Sequence, residues 1–242
     1  MRLKGKRAIV TGGGSGFGAG IARKFAAEGA QVLVADINAR AAAAVAEEIG
    51  GRSLAMDVAT LAGWEACAGE AGQTDILVNN AGVTHLPAPM EEVSEEDFDR
   101  VTAINMKSIY LSARTVIAAM KARGTGAVLN IASTAGLSPR PRLNWYNASK
   151  GWVITATKAM AVELAPSGVR VNALCPVAGE TPLLASFMGE DTPEMRAKFL
   201  ATIPLGRFST PEDLGAAAAF LCSDEASMIT GTALEVDGGR CI

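Results

Sequence analysis

Short apolar runs alternate with longer stretches of helical periodicity along the whole of this 242-residue chain. The apolar runs are continuous, which is typical of strands buried on both faces of a parallel sheet. In the intervening stretches, apolar residues recur every three to four positions, which predicts helices. The runs predict seven strands, at residues 7–11, 31–35, 52–57, 76–78, 127–132, 169–174 and 233–236. The predicted helices cover residues 18–28, 39–49, 61–71, 95–121, 145–165, 193–201 and 211–221.

This alternation of strands and helices predicts an α/β fold with a doubly wound, Rossmann-type parallel sheet and helices on both faces. No repeat or linker divides the chain, so we expect one domain over residues 1–242. The segment at about 177–209 is irregular and rich in proline and glycine. Long irregular segments in compact folds often carry function, and we expect this one to be a substrate-binding lid.

Composition narrows the function classes. Charged residues make up 19% of the chain, below the roughly 25% of an average domain, which favours self-association. The net charge of −3 gives no basic face for a nucleic acid and no attraction to an anionic membrane. The absence of a spanning or secretory apolar segment leads us to expect a cytoplasmic protein. With one histidine and no C-x-x-C pair, the sequence indicates no metal site.

A glycine cluster, Thr11 to Gly18, lies between the first predicted strand and the first helix. Glycines at this point allow a sharp turn and a close approach of the backbone to a pyrophosphate. The N-terminus of the following helix offers free N–H groups and a partial positive charge. The sequence therefore predicts a dinucleotide site here.

Asp36 ends the second strand, 20 residues after Gly16. A carboxylate at this position can accept hydrogen bonds from the adenosine ribose and would repel a 2′-phosphate. Two like charges at ~4 Å cost about 1 kcal/mol in water and about 4 kcal/mol at an effective dielectric near 20. Neither Ser15 nor Ile37 is basic, so we predict NAD rather than NADP.

Tyr146 and Lys150 are four residues apart at the start of a predicted helix, which places both on one face. Ser133 follows the fifth strand, 13 residues before Tyr146. Strand ends and the helices that follow them meet at the carboxyl edge of such a sheet, where ligands bind. These three side chains are therefore candidates for catalysis.

Together with the glycine loop, these residues resemble the short-chain dehydrogenase/reductase family over nearly the whole chain. Other matching motifs are Asp57-Val58, Asn79-Asn80-Ala81-Gly82, Asn105 and the closing Val236-Asp237-Gly238-Gly239. The resemblance implies hydride transfer between NAD and an alcohol/carbonyl pair. It also implies a homotetramer in which the two long helices pair across subunits.

The resemblance assigns catalytic roles. Tyr146 is the acid/base, and Lys150 favours its phenolate and holds the nicotinamide ribose. Lowering a tyrosine pKa by ~3 units corresponds to about 4 kcal/mol. Ser133 bonds the substrate oxygen, and Asn105 holds a water that links Lys150 to solvent. The residues expected to contact the cofactor are Gly12, Ser15, Gly16, Phe17, Gly18, Asp36, Ile37, Asp57, Val58, Asn80, Ala81, Gly82, Tyr146, Lys150, Pro176, Val177 and Thr181.

The chain departs from the family after the sixth strand. The usual Pro-Gly is replaced by Pro176-Val177-Ala178-Gly179-Glu180-Thr181, which affects the substrate side. Arg140 and Arg142 precede the catalytic helix and could bind a carboxylate, sulfonate or phosphate, or be solvated loop or interface residues. His85 is either at the pocket rim or an ordinary loop residue. The expected substrate contacts are Ser133, Ala135, Arg140, Arg142, Tyr146 and Ala178.

The leading hypothesis is an NAD-dependent dehydrogenase of a small secondary alcohol: a polyol, sugar, hydroxy acid or cyclic alcohol. A 3-oxoacyl-thioester (acyl carrier protein) reductase is the alternative within the enzyme class, although many such enzymes prefer NADP, which Asp36 opposes. A non-catalytic nucleotide-sensing scaffold is the alternative from another class. The presence of Tyr146, Lys150 and Ser133 argues against the scaffold.

Overall fold

A seven-stranded, all-parallel sheet forms the middle layer of the molecule. The structure is a computed structural model that describes residues 1–242. The strand order is β3-β2-β1-β4-β5-β6-β7. Each predicted strand is present, with small changes at the ends. The strands are β1 (Arg7–Thr11), β2 (Gln31–Asp36), β3 (Arg52–Ala55), β4 (Ile76–Asn79), β5 (Gly126–Ile131), β6 (Val169–Pro176) and β7 (Ala233–Val236).

Helices cover both faces of this sheet, as the continuous apolar strands predict. They are α1 (Gly16–Ala27), α2 (Ala39–Ile49), α3 (Leu61–Ala71), α4 (Glu95–Thr102), α5 (Ser108–Ser112), α6 (Ala118–Arg123), α7 (Asn144–Leu164), α8 (Leu184–Met188), α9 (Pro193–Leu200) and α10 (Pro211–Cys222). No helix is both long and apolar enough to cross a membrane.

Each face of the sheet has its own core, because successive strand residues point to opposite sides. Val10 of β1 packs in the core that includes Phe25 and Leu214, from α1 and α10. Ile9, the residue before it, packs in the core that includes Trp64 and Leu164, from α3 and α7. The predicted doubly wound architecture is therefore confirmed.

The long helix predicted at 95–121 is helical throughout but not uniformly α-helical. Two π-helical turns, Ala103–Lys107 and Ala113–Ile117, join α4 to α5 and α5 to α6. Such wide turns occur mostly as single insertions in α-helices, frequently at functional sites. Asn105 lies in the first of them.

The 177–209 segment contains two short helices, although the sequence predicted only the second. Leu184, Met188, Ile203 and Phe208 form a small separate core together with Val177. Gly179 pairs with Ser209 in an isolated β-bridge, which ties the two ends of the segment together. The segment thus folds as a packed unit beside the carboxyl ends of the strands.

Candidate active site

A cavity of about 400 Å³ lies at the carboxyl edge of the sheet. The strand order reverses between β1 and β4, and doubly wound sheets bind their ligands at such a switch point. The cavity extends from Asp36 and Ile37 at one end to Tyr146 and Lys150 at the other. Every residue that the sequence assigned to the cofactor lines it.

The glycine loop is shaped for close approach. Gly12 and Gly16 have φ angles of 60° and 51°, in the region that favours glycine. A Cβ at Gly18 would lie 2.1 Å from the Gly12 carbonyl oxygen, so only glycine fits there. Asn80 fixes the loop to the end of β4, because its side-chain amide donates to the carbonyls of Thr11 and Gly12 at 2.8 and 3.1 Å.

Helix α1 starts inside this cavity with free backbone donors. Its N-cap residue, Ser15, makes no side-chain capping hydrogen bond, so the first-turn N–H groups are free to bind an anion. No acidic residue lies in the first turn to oppose one. A helix N-terminus next to a glycine turn fits the pyrophosphate of a dinucleotide.

Asp36 lies at the opposite end of the cavity from Tyr146, where an adenosine would be. Its two carboxylate oxygens accept the backbone N–H groups of Gly14 and Asn38, each at 2.9 Å. These bonds fix the carboxylate against the glycine loop. Asp57 is exposed at the same end, and Val58 is buried there. The structure therefore groups the residues expected at the adenosine half.

Tyr146 and Lys150 lie together on the first turns of α7, and both are buried. The Lys150 Nζ lies 5.9 Å from the centre of the Tyr146 ring and donates to the Ile131 carbonyl at 2.8 Å. Burial lowers the pKa of Lys150 to about 8. Burial raises the pKa of Tyr146 to about 12, although the Ser133 hydroxyl and the Arg140 charge act in the opposite direction. The protein alone thus favours the neutral phenol.

Ser133 and Asn105 support this pair in different ways. Ser133 lines the cavity, and its hydroxyl accepts the N–H of Ala135 at 3.1 Å. Asn105 is buried behind the cavity wall and does not line it. Its side-chain amide bonds both the N–H and the carbonyl of Val83, each at 2.9 Å. Asn105 thereby holds the chain just after Gly82 in place.

The 177–209 segment lines the Tyr146 end of the cavity. Pro176, Val177, Ala178 and Thr181 all line it, as expected despite the altered sequence. Gly179 is required here because a Cβ would lie 2.2 Å from the Phe17 ring.

Two aromatic rings that the sequence did not single out complete this wall. Phe187 packs edge-on against Tyr146 with ring centres 5.1 Å apart. Phe199 lies beneath the guanidinium of Arg140 at 4.2 Å. Phe187 belongs to α8 and Phe199 belongs to α9. No sequence motif marks either residue.

The two arginines predicted to contact the substrate, Arg140 and Arg142, occupy different positions in the structure. Arg140 lines the cavity together with Ala135, whereas Arg142 is exposed outside it and its guanidinium points toward the Pro87 carbonyl at 3.5 Å. Arg142 has a positive φ of 67°, which turns the chain between the two residues. Of the pair, only Arg140 is placed to meet a substrate.

His85 does not lie at the rim of the pocket. It is buried, and its Nδ1 bonds the Leu86 carbonyl at 2.8 Å. The structure therefore places His85 among the interior loop residues.

Comparison with known proteins supports the same family. Residues 12–240 match a family model described as enoyl-(acyl carrier protein) reductase. The chain is 50% identical to 4-formylbenzenesulfonate dehydrogenase TsaC1/TsaC2 of Comamonas testosteroni, over 100% of both chains. It is 42% identical to D-threitol dehydrogenase of Mycolicibacterium smegmatis, over 100% of this chain and 95% of the relative.

A solved structure agrees closely with the fold. It is described as 3-ketoacyl-(acyl-carrier-protein) reductase from Brucella melitensis complexed with NADH. The TM-score is 0.93 at 50% identity, covering 99% of this chain and 100% of that one.

The fold and the relatives together define an NAD(P)-dependent oxidoreductase. The chain belongs to the short-chain dehydrogenase/reductase family. The predicted family, fold and enzyme class are confirmed, as is hydride transfer between a nicotinamide cofactor and an alcohol/carbonyl pair.

Proposed function

We propose that this protein is an NAD-dependent dehydrogenase that oxidises a small alcohol to the carbonyl compound, with Tyr146 as the acid/base. The observation that carries the proposal is the buried Tyr146–Lys150 pair at one end of a cavity whose other end holds Asp36. We place the dinucleotide along the glycine loop and the substrate beneath the lid.

NAD⁺ bound along this cavity would supply the hydride acceptor and a positive charge beside the phenol. Tyr146 takes the hydroxyl proton while hydride leaves the alcohol carbon. Ser133 donates to the substrate oxygen and keeps it next to the phenol. Lys150 favours the phenolate through its charge. With a pKa of about 8, Lys150 can also release a proton near neutral pH.

We assign NAD rather than NADP because of Asp36. Its half-buried carboxylate can accept a ribose hydroxyl, and no basic residue follows at Ile37. A 2′-phosphate at that place would face a fixed negative charge. The NADH in the Brucella melitensis structure supports this assignment.

The named substrates of the relatives support an alcohol/carbonyl pair on a small molecule. One is an aromatic aldehyde with a sulfonate group, and the other is a four-carbon polyol. We therefore propose a polyol, sugar, hydroxy acid or cyclic or benzylic alcohol as substrate. The 3-ketoacyl-(acyl-carrier-protein) reductase name of the 50% identical structure favours a second candidate, reduction of a 3-oxoacyl thioester.

Rates of NADH formation at alkaline pH over such alcohols, and of NADH consumption with acetoacetyl thioester, test both candidates. The Tyr146→Phe variant is expected to lose at least 100-fold in turnover, the usual contribution of general acid–base catalysis. Tyr110→Phe is a matched control because Tyr110 is the chain's other tyrosine and is exposed. Full turnover by Tyr146→Phe would overturn the assignment of the acid/base.

We also propose a homotetramer. Tyr110, Trp152 and Val162 are exposed on the surfaces of α5 and α7, and together they leave apolar area for a neighbouring subunit. Light scattering after gel filtration measures the mass directly, and a monomer of 24.9 kDa would refute the proposal. All four cysteines are free thiols, which suits the reducing cytoplasm that we propose as its location.

A further inference from the structure

The substrate end of the cavity contains a positive charge that nothing in the chain neutralises. Arg140 lines the cavity, and no carboxylate lies within ion-pairing distance of it. The charged and ionisable groups that act on it are Arg240 and Tyr146. Burial and the neighbouring Arg240 lower the pKa of the Arg140 guanidinium.

Arg240 adds to this imbalance. It lies close enough to repel Arg140, and its Nε is buried without a hydrogen-bond partner. Its only side-chain bond is a long one, 3.4 Å to the Ser138 hydroxyl. Two guanidinium groups thus influence one another electrostatically, and neither has a carboxylate partner.

Another half-buried arginine, Arg170, has hydrogen-bond acceptors around its guanidinium and serves as a comparison for Arg140. Arg170 donates to the carbonyls of Leu221, Ile229 and Ser223 at 2.8 to 3.0 Å. Buried charges are normally paired or hydrogen-bonded in this way, because leaving them bare costs free energy. Arg140 has no such acceptors, although it faces a cavity.

One aromatic ring packs against the half-buried Arg140 side chain at the cavity wall. Phe199 packs against the guanidinium at 4.2 Å, a cation–π contact that positions the charge but leaves its N–H groups free. Phe187 packs against Tyr146 on the same wall. The substrate end thus has an acid/base, a cation and two phenyl rings.

We propose that Arg140, reinforced by Arg240, binds an anionic sulfonate or carboxylate on the substrate, and that the phenyl rings favour an aromatic body between that anion and the reacting carbon. The inference rests on the proposed dehydrogenase function and narrows its substrate class. The anion takes no part in the chemistry: it neutralises the unpaired charge by hydrogen bonds and orients the carbinol or carbonyl toward Tyr146. Guanidinium and sulfonate or carboxylate form strong charge-assisted pairs.

The test compares two aldehydes of nearly equal shape, 4-formylbenzenesulfonate and the neutral 4-(methylsulfonyl)benzaldehyde, by NADH consumption. In the wild type the anion should have the lower KM. Arg140→Gln should raise the KM of the sulfonate about 10- to 100-fold more than the KM of the sulfone, the size of one charge-assisted hydrogen bond. Any effect of the lost charge on Tyr146 is common to both aldehydes and cancels in this ratio. Arg140→Lys should restore part of the loss. Arg142→Gln is the matched control, because Arg142 is exposed outside the cavity.

The outcomes separate this inference from the proposed function. Equal KM values in the wild type, or an equal effect of Arg140→Gln on both aldehydes, would overturn the anion site while dehydrogenase activity remained. Failure with every alcohol and aldehyde would overturn the proposed function instead. In that case, calorimetric titration of 4-methylbenzenesulfonate into the NADH-bound protein tests the anion site without turnover. Binding to the wild type that is lost in Arg140→Gln supports the site. Absence of binding to the wild type refutes it.

Discussion

Replacing Asp36 with asparagine is expected to remove much of the preference for NAD over NADP. The carboxylate is held by two backbone N–H groups, so its charge is fixed at the end of β2. Asparagine has nearly the same shape and keeps one oxygen for these donors. The substitution therefore removes the charge and one of the two hydrogen-bond acceptors, while the size of the side chain is kept.

The expected size follows from the position of the carboxylate. Like charges at ~4 Å repel by about 1 kcal/mol in water and about 4 kcal/mol at an effective dielectric near 20. Asp36 is half-buried, while the adjacent Ile37 is 76% exposed, so the site lies between these limits. A value near 2 kcal/mol corresponds to a change of about 30-fold, since about 1.4 kcal/mol is tenfold.

The assay is kcat/KM for NAD⁺ and NADP⁺ with the same alcohol, expressed as their ratio. Asp75→Asn is the matched control, because that carboxylate also accepts a backbone N–H, from Arg7 at 2.9 Å, but at the opposite edge of the sheet. The Asp36→Asn ratio should fall about 30-fold and the control ratio should not change. A fall of less than threefold, or an equal fall in the control, would refute the electrostatic argument.

Two further predictions concern packing and protonation. Gly179→Ala should destabilise the protein by about 1–3 kcal/mol, because the new Cβ overlaps the Phe17 ring; thermal unfolding measures the change, and an unchanged midpoint would refute it. Lys150→Met should inactivate the enzyme but raise stability at pH 7, because burial lowers the lysine pKa to about 8 and the folded state therefore penalises the charge. Between pH 8 and 10.5 the unfolded chain binds more protons than the folded protein, so the stability of the wild type should rise with pH over that range. The difference in the free energy of unfolding between the wild type and Lys150→Met, measured by urea unfolding, should therefore shrink. A difference that stays constant with pH would contradict this sign.

The cofactor half of the cavity could be predicted from the sequence because its geometry is local. A glycine cluster between a strand and a helix sets both the turn and the helix N-terminus. Asp36 follows directly from the end of the next strand. These positions depend on chain order and on the parallel sheet, and the apolar runs define both.

The substrate half could not be predicted in the same way. Arg140 and Arg142 look equivalent in the sequence, and a single positive φ at Arg142 separates them. Phe187 and Phe199 reach the cavity through the folding of the lid, for which no local pattern exists. Asn105 bonds the Val83 backbone from within a π-helical turn that periodicity does not indicate. The water that Asn105 is expected to hold stays a prediction.

The 177–209 segment has a hydrophobic core of its own. Its small core, built on Leu184, Met188, Ile203 and Phe208, is separate from the two large cores that flank the sheet. Phe187 belongs to none of these cores, although its ring packs against Tyr146. Its substitution therefore leaves no large cavity beside the sheet, and the free energy of unfolding should be little affected. By contrast, Gly12, Gly18 and Asn80 are constrained by backbone contacts within 3.1 Å, so the cofactor half tolerates few changes. The relatives of this chain are named for molecules as different as 4-formylbenzenesulfonate and D-threitol, which fits a fold whose 177–209 segment can vary separately.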